Sequence, residues 1–225
     1  MKLSKDLNRL GTETAFAVSK EAKTMSEKGH KIYPFHLGDI NIKTPESIRK
    51  ATLKYMNDDK NGYCPSEGVT ELREVLAHDI GIKRRVNYEI DNVIIQPGGK
   101  PTIWKFLASV MNKGDEVLFP NPGYPIYESQ IRYQGGVPVP YGYIETHSGF
   151  KIDIDKLSTS ITPNTTALIY NNYQNPLSAS SSKEEIEFIA KLCIENDLWV
   201  LSDDAYYEIR YSDIPPLSIV NIPGM

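Results

Sequence analysis

Little in this sequence points to a metal, to secretion or to nucleic acid. Its 225 residues hold only 2 cysteines, Cys64 and Cys193, which make no disulfide framework and lack the spacing of a metal site. The 4 histidines, His30, His36, His78 and His147, are scattered, which argues against zinc. No apolar run approaches the ~20 residues of a membrane span. The N-terminal stretch MKLSKDLNRLGTETAF carries basic residues but no continuous apolar core, so it makes a poor leader. Formal net charge is −4, with acids and bases interspersed, so neither nucleic acid nor an anionic membrane is an expected partner. The chain shows no GxGxxG, no internal repeat and no low-complexity segment. What remains is 40% hydrophobic and 24% charged, an ordinary globular composition with room for a sizeable core. A cytoplasmic enzyme or binding protein is expected.

Periodicity gives the organisation. Thr12 to Lys28 reads as a helix, with Thr12 or Thr14 as cap and Gly29 as terminator. Ile32 to Leu37 reads as a short strand, and Pro45 opens another helix. After a Pro/Gly loop at Tyr63 to Gly68, an amphipathic helix begins at Val69. From Val93 the rhythm is strand, glycine, helix. Strands are predicted at Val93 to Ile95, Glu116 to Phe119, Val137 to Pro140, Ala167 to Ile169 and Trp199 to Leu201. Helices are predicted around Ile103 to Val110, up to Tyr133, and from Lys183 to Glu195. Lys151 to Thr166 reads as a connector with a short helix and a turn at Pro163-Asn164. Such alternation predicts an α/β fold, a mostly parallel sheet with helices on both faces. The expected division is an N-terminal arm and part of a small domain over 1–50, then a large domain over 51–225.

Three strand ends carry the chemistry. Ser202, Asp203, Asp204 and Tyr206 follow the Trp199 strand, where ligands of open α/β sheets sit; the same stretch also fits a solvated acidic loop. Asn175 follows the Ala167 strand and offers an amide. Tyr124 follows the Glu116 strand, where an aromatic can stack on a planar heterocycle or simply pack its own loop. Gly98-Gly99-Lys100 stands between a strand and a helix. Such a glycine pair exposes backbone N–H groups to an anion, or is a tight turn with no ligand. It is no Walker loop, since Ile94 stands where the first glycine would be and Pro101 replaces the Ser/Thr. A carboxylate such as Asp203 facing a pyridine nitrogen would keep it protonated and a better electron sink. Asn175 and Tyr206 could both hydrogen-bond a phenolate-like ring oxygen.

In order and spacing together, these runs resemble the N-terminal part of class I/II aminotransferases, the fold-type I pyridoxal-phosphate enzymes. The resemblance extends from about Leu10 to the last residue. It rests on Leu37-Gly38-DINIKT-Pro45, Tyr63-CPSEGVTEL-Arg73, Pro97-GG-Lys100, Pro120-NPGYPI-Tyr127, Asn175-Pro176 and Ser202-DDA-Tyr206. The resemblance implies that Gly99 and Lys100 give backbone donors to the cofactor phosphate and that Tyr124 stacks on its ring. Asn175 and Tyr206 would hold the ring oxygen and Asp203 the ring nitrogen. Gly38, with Asn175, would lie beside the substrate. Tyr63 would reach the cofactor phosphate of a neighbouring subunit, which makes a homodimer the expectation. Departures are Leu177-Ser178 in place of Thr-Gly after Asn175-Pro176, Ile40-Asn41 in place of Pro-Asp, and Asp204 where glutamate is usual. The family's Schiff-base lysine is expected beyond Met225, so the chain reads as the front part of a longer enzyme, inactive alone. Lys183, after Ser180-Ser181-Ser182, has the look of a helix start rather than of a catalytic lysine. The implied reaction moves an amino group between an amino acid and a 2-oxo acid. A C–S β-lyase or cyclopropane-forming lyase on the same scaffold, or a non-catalytic cofactor-binding sensory domain, stays open.

Overall fold

The structure is a computed structural model and describes residues 2–11, 14–35, 38, 42–60, 62–214 and 217–225. Contacts divide the chain into two units, Met1–Thr12 with Thr70–Met225, and Glu13–Val69.

The smaller unit holds α1 (Thr14–Glu27) and α2 (Glu46–Asn57). α1 stops at Gly29, whose φ of 89° suits the left-handed residue that ends a helix. There the His30 N–H reaches back to the Met25 carbonyl at 3.1 Å. Thr12, one of the two candidate caps, lies outside the described residues, and Thr14 is already helical. The strand predicted over Ile32 to Leu37 is not formed in its described part. Pro34 has no N–H to give a ladder, and the Phe35 N–H turns back to the Tyr33 carbonyl at 2.9 Å. His36 and Leu37 lie outside the described residues. α2 follows Pro45 as its composition predicts, with the Glu46 and Lys50 side chains paired at 2.8 Å one turn apart.

The larger unit is built on a four-stranded parallel sheet in the order β2-β1-β5-β6. Its strands are β1 (Glu116–Pro120), β2 (Val137–Tyr141), β5 (Thr165–Asn171) and β6 (Trp199–Asp203). Between β2 and β5 lies an antiparallel hairpin, β3 (Tyr143–Thr146) and β4 (Gly149–Ile152). The helices are α3 (Thr70–Arg84), α4 (Gly99–Val110), α5 (Ile126–Tyr133), α6 (Ile154–Thr159) and α7 (Lys183–Glu195). Neighbouring side chains of a strand point to opposite faces, and here both faces are buried. Val117, Phe119, Ala167 and Ile169 pack with Ile103 and Leu107 of α4 and Tyr127 and Ile131 of α5. Leu118, Leu168 and Tyr170 pack on the other face with Ile186, Ile189 and Cys193 of α7 and Leu157 of α6. This is why β1 and β5 read as unbroken apolar runs.

Two sequence expectations change here. Val93 to Ile95 is extended but unpaired: the Val93 carbonyl accepts Arg73 Nε–H at 2.8 Å, and the Val93 N–H bonds the Ile90 carbonyl. With both polar groups of Val93 committed, and with Ile94 exposed, no ladder forms there. The β3–β4 hairpin was not expected. Its strands span four residues each, too short for a period to show.

Topology places the site. From β1 the chain goes outward to β2; from β5 it goes outward the other way to β6. β1 and β5 are neighbours, so a crevice opens beyond their carboxyl ends, the usual ligand position in such sheets.

Candidate active site

A cavity of about 390 Å³ lies at these strand ends, lined by Gly99, Lys100, Ile103, Tyr124, Tyr127, Asn171, Asn175, Asp203, Ala205 and Tyr206. Its size falls within the ~300–1,000 Å³ common for small-molecule sites. A larger cavity of about 540 Å³, lined by Glu74, His78 and Arg85 among others, contains none of the strand-end residues.

Each wall has a local cause. α4 begins after Gly98, whose φ of 108° few residues other than glycine adopt. No side chain caps the helix and its first turn holds no acid, so its N-terminal end, at Gly99 and Lys100, is electropositive and suits an anion. Pro101 contributes none, and the Lys100 carbonyl is fixed by Gln130 Nε2–H at 3.1 Å. Tyr124 stands in the turn after β1, its ring edge-on to Tyr127 at 5.6 Å between centroids. That turn is tight at Gly123, where a Cβ would collide with the Pro120 carbonyl oxygen.

Asp203 ends β6 with both carboxylate oxygens held. Tyr127 Oη–H donates to Oδ2 at 2.6 Å, and the Ala205 N–H donates to Oδ1 at 3.2 Å. Burial, and then the neighbouring Asp203 charge, push the Tyr127 phenol far above its ordinary pKa of 10. It therefore stays a donor at any working pH. Asn171 links the other two strand-end residues: its Nδ2–H donates to the Asp203 carbonyl at 2.8 Å and its Oδ1 accepts the Asn175 N–H at 3.0 Å.

Tyr127→Phe should leave the packing of the buried ring intact and free Asp203 Oδ2. A hydrogen bond to a charged group contributes about 1.5–3 kcal/mol, so Tm should fall by several degrees, and ligand affinity that depends on an oriented Asp203 should fall tenfold or more. Equal affinity in the variant would remove this role.

The six residues predicted from the strand ends, Gly99, Lys100, Tyr124, Asn175, Asp203 and Tyr206, meet in one cavity. Gly38 and Tyr63 belong to the smaller unit. Tyr127 and Asn171 were not singled out from sequence. Both left a trace there, Tyr127 as the last residue of the Pro120 to Tyr127 run and Asn171 as the first polar residue after an apolar strand. Lys183 opens α7 behind the Ser182 cap, with the Ser182/Glu185 reciprocal pair in place and its ammonium 3.6 Å from Glu187, as a helix start should look.

The departure at Ser178 has a measurable cost. Ser178 has a φ of 55°, the left-handed region, at the position where the resembling family has glycine. Ser178→Gly should relieve that strain, partly offset by unfolded-chain entropy, and raise stability by ~0.5–1 kcal/mol. A higher urea midpoint at unchanged slope checks this; an unchanged or lower midpoint contradicts it.

Residues 32–222 match the family model described as Aminotransferase class I and II. The aspartate aminotransferase of Geobacillus stearothermophilus is 30% identical over 224 residues, 99% of this chain and 56% of the relative. The probable aspartate/prephenate aminotransferase of Aquifex aeolicus is 29% identical over 211 residues, 94% of this chain and 53% of the relative. The chain thus spans about half the length of the curated relatives it matches. Among solved structures, Thermus thermophilus aspartate aminotransferase with maleate superposes at a TM-score of 0.92, with 27% identity over 99% of this chain and 58% of that one. Alanine aminotransferase from Pyrococcus furiosus gives 0.90, with 28% identity over 97% of this chain and 56% of that one. A parallel sheet with this crevice and a family match over most of the sequence lead to one assignment: the chain belongs to the aminotransferase class I and II family, a pyridoxal-phosphate-dependent family.

Proposed function

We propose that the complete protein transfers an amino group between an amino acid and a 2-oxo acid, with pyridoxal phosphate held in the cavity between Gly99 and Asp203. The observation that carries this reading is the donor set of that one cavity. It offers a helix N-terminus with no side-chain cap, an aromatic face, an amide, a phenol and a carboxylate with both oxygens already ordered. That set suits the phosphate, ring face, ring oxygen and ring nitrogen of the cofactor, with the amide and the phenol sharing the ring oxygen.

When bound, the cofactor supplies an electron-poor ring that takes up the electron pair released at the substrate's Cα. The remaining work belongs to the chain. Gly99 and Lys100 N–H groups would take the phosphate at the positive end of α4. Tyr124 would cover one ring face and keep water from it. Asn175 and Tyr206 would donate to the ring oxygen. Asp203, kept in place by Tyr127 and Ala205, would hold a proton on the ring nitrogen. Gly38 is assigned to the substrate side and Tyr63 to the phosphate of a neighbouring subunit, which makes the working form an isologous homodimer. A cytoplasmic location fits the absence, among the described residues, of a helix long and apolar enough to cross a membrane.

The test is a paired assay on the full-length protein. Pyridoxal phosphate should bind at one site per chain, and aspartate with a 2-oxo acid, the first pair to try, should yield a transferred amino group. Pyruvate with ammonia, and no transferred amino group, would assign elimination instead. No cofactor binding would end the reading.

A further inference from the structure

Between the Tyr124 turn and the Asn175 turn lies a side chain that is not part of the cavity lining. Gln174 is only 2% exposed. Its Nε2–H donates to the Pro122 carbonyl at 2.6 Å, and its Oε1 accepts the Leu177 N–H at 2.8 Å. Its own backbone is fixed as well: the N–H donates to the Ala179 carbonyl at 2.9 Å, and the carbonyl accepts the Ser178 N–H at 2.7 Å. Pro122 stands two residues before Tyr124, and Leu177 two residues after Asn175. One buried amide therefore ties together the turns that follow β1 and β5, the two strands flanking the crevice.

The chemistry of the join is selective. One end needs a donor, for a proline carbonyl, and the other an acceptor, for a backbone N–H. A carboxamide offers both from one planar group, and only one orientation of it satisfies both partners. Glutamate would keep the acceptor and set a second oxygen against the Pro122 carbonyl. Methionine would keep the volume and lose both bonds. Because the amide is buried, water cannot easily take over the lost bonds. Misplacement of a contact by ~1 Å can cost about 100-fold in a preorganised site.

We propose that Gln174 is a positioning residue that sets the separation between the aromatic face of Tyr124 and the amide of Asn175, and so the slot available to a flat aromatic ring. The proposal rests on the reading of this cavity as the pyridoxal-phosphate site. It differs from a general structural role in a definite way. Loosening the slot affects contacts to the ring and leaves the α4 N-terminus, which takes the phosphate, as it was.

The experiment uses the full-length protein with Gln174→Met and Gln174→Glu. Three quantities are measured: affinity for pyridoxal phosphate, affinity for inorganic phosphate by competition, and amide hydrogen exchange without ligand. Gln174→Met should bind pyridoxal phosphate at least tenfold more weakly while inorganic phosphate binds as in the parent. Amides of 121–127 and 174–179 should exchange faster together, with protection elsewhere retained. Gln174→Glu, which keeps the acceptor, should protect the Leu177 amide more than Gln174→Met does, while still losing ring affinity. Equal loss of both affinities in the two variants would make Gln174 a general structural residue and overturn the proposal. Unchanged pyridoxal phosphate affinity in a parent that binds it would overturn it too. A parent protein that binds no pyridoxal phosphate would instead overturn the functional reading on which the proposal rests.

Discussion

Asp203→Ala in the complete protein should lower kcat/KM for amino transfer by about two orders of magnitude or more, ~3 kcal/mol of transition-state stabilisation. The reason is electronic. A protonated ring nitrogen draws charge from the reacting carbon, and a carboxylate is what holds the proton there. Folding should weaken by about 1–3 kcal/mol, because the buried Tyr127 hydroxyl loses its acceptor. Asp203 is half-buried at the end of an edge strand, and its side-chain bonds go to Tyr127 and to the Ala205 N–H in its own turn. Asp203→Asn, which keeps the shape and loses the charge, should be nearly as impaired. Near-parental turnover with either variant would show that the acid has no part in the chemistry.

Glu185→Ala should produce the largest loss of stability among single changes near the site, ~3–5 kcal/mol. Glu185 is buried, yet its carboxylate is used twice. Oε1 accepts the Ile152 N–H at 3.1 Å, and Oε2 accepts the Ser182 N–H at 2.8 Å. The first bond joins the end of the β3–β4 hairpin to α7; the second closes the cap of α7. Truncation leaves the buried Ile152 N–H and the half-buried Ser182 N–H without partners, at ~1–3 kcal/mol each, the second being the lost half of the cap. Against a typical margin of ~5–15 kcal/mol that is a large share. Glu185→Gln keeps one good acceptor and should cost about half as much. Urea unfolding followed by fluorescence checks both values, and a loss under ~1 kcal/mol for Glu185→Ala would contradict this view of the hairpin.

What could be read from sequence follows from range. The α/β alternation was legible because the middles of β1 and β5, Val117 to Phe119 and Ala167 to Tyr170, are buried on both faces and therefore apolar, a signal that needs no partner to be seen. Helix starts and stops were legible too, at Pro45, Gly29 and Ser182, because caps are local chemistry. Val93 to Ile95 misled because apolar content says nothing of a ladder partner, and the Val93 carbonyl is taken by an arginine twenty residues away. Of the site, six residues that face the cavity, Gly99, Lys100, Tyr124, Asn175, Asp203 and Tyr206, were found through strand ends and motif order. Those that hold them, Tyr127, Asn171 and Gln174, act through bonds across 32 to 76 positions of sequence. No short window contains such pairs. Ser178 is intermediate: the loss of glycine was visible, while the left-handed backbone it must adopt was not.

The measurement that bears most directly on the central claim is a crystal structure of the full-length protein grown with pyridoxal phosphate. The expected result is density for the phosphate at the Gly99 and Lys100 N–H groups, the ring against Tyr124, its oxygen within hydrogen-bond reach of Asn175 and Tyr206, and its nitrogen facing Asp203. Density for the cofactor elsewhere, or a ring turned so that its nitrogen points away from Asp203, would contradict the assignment of this cavity.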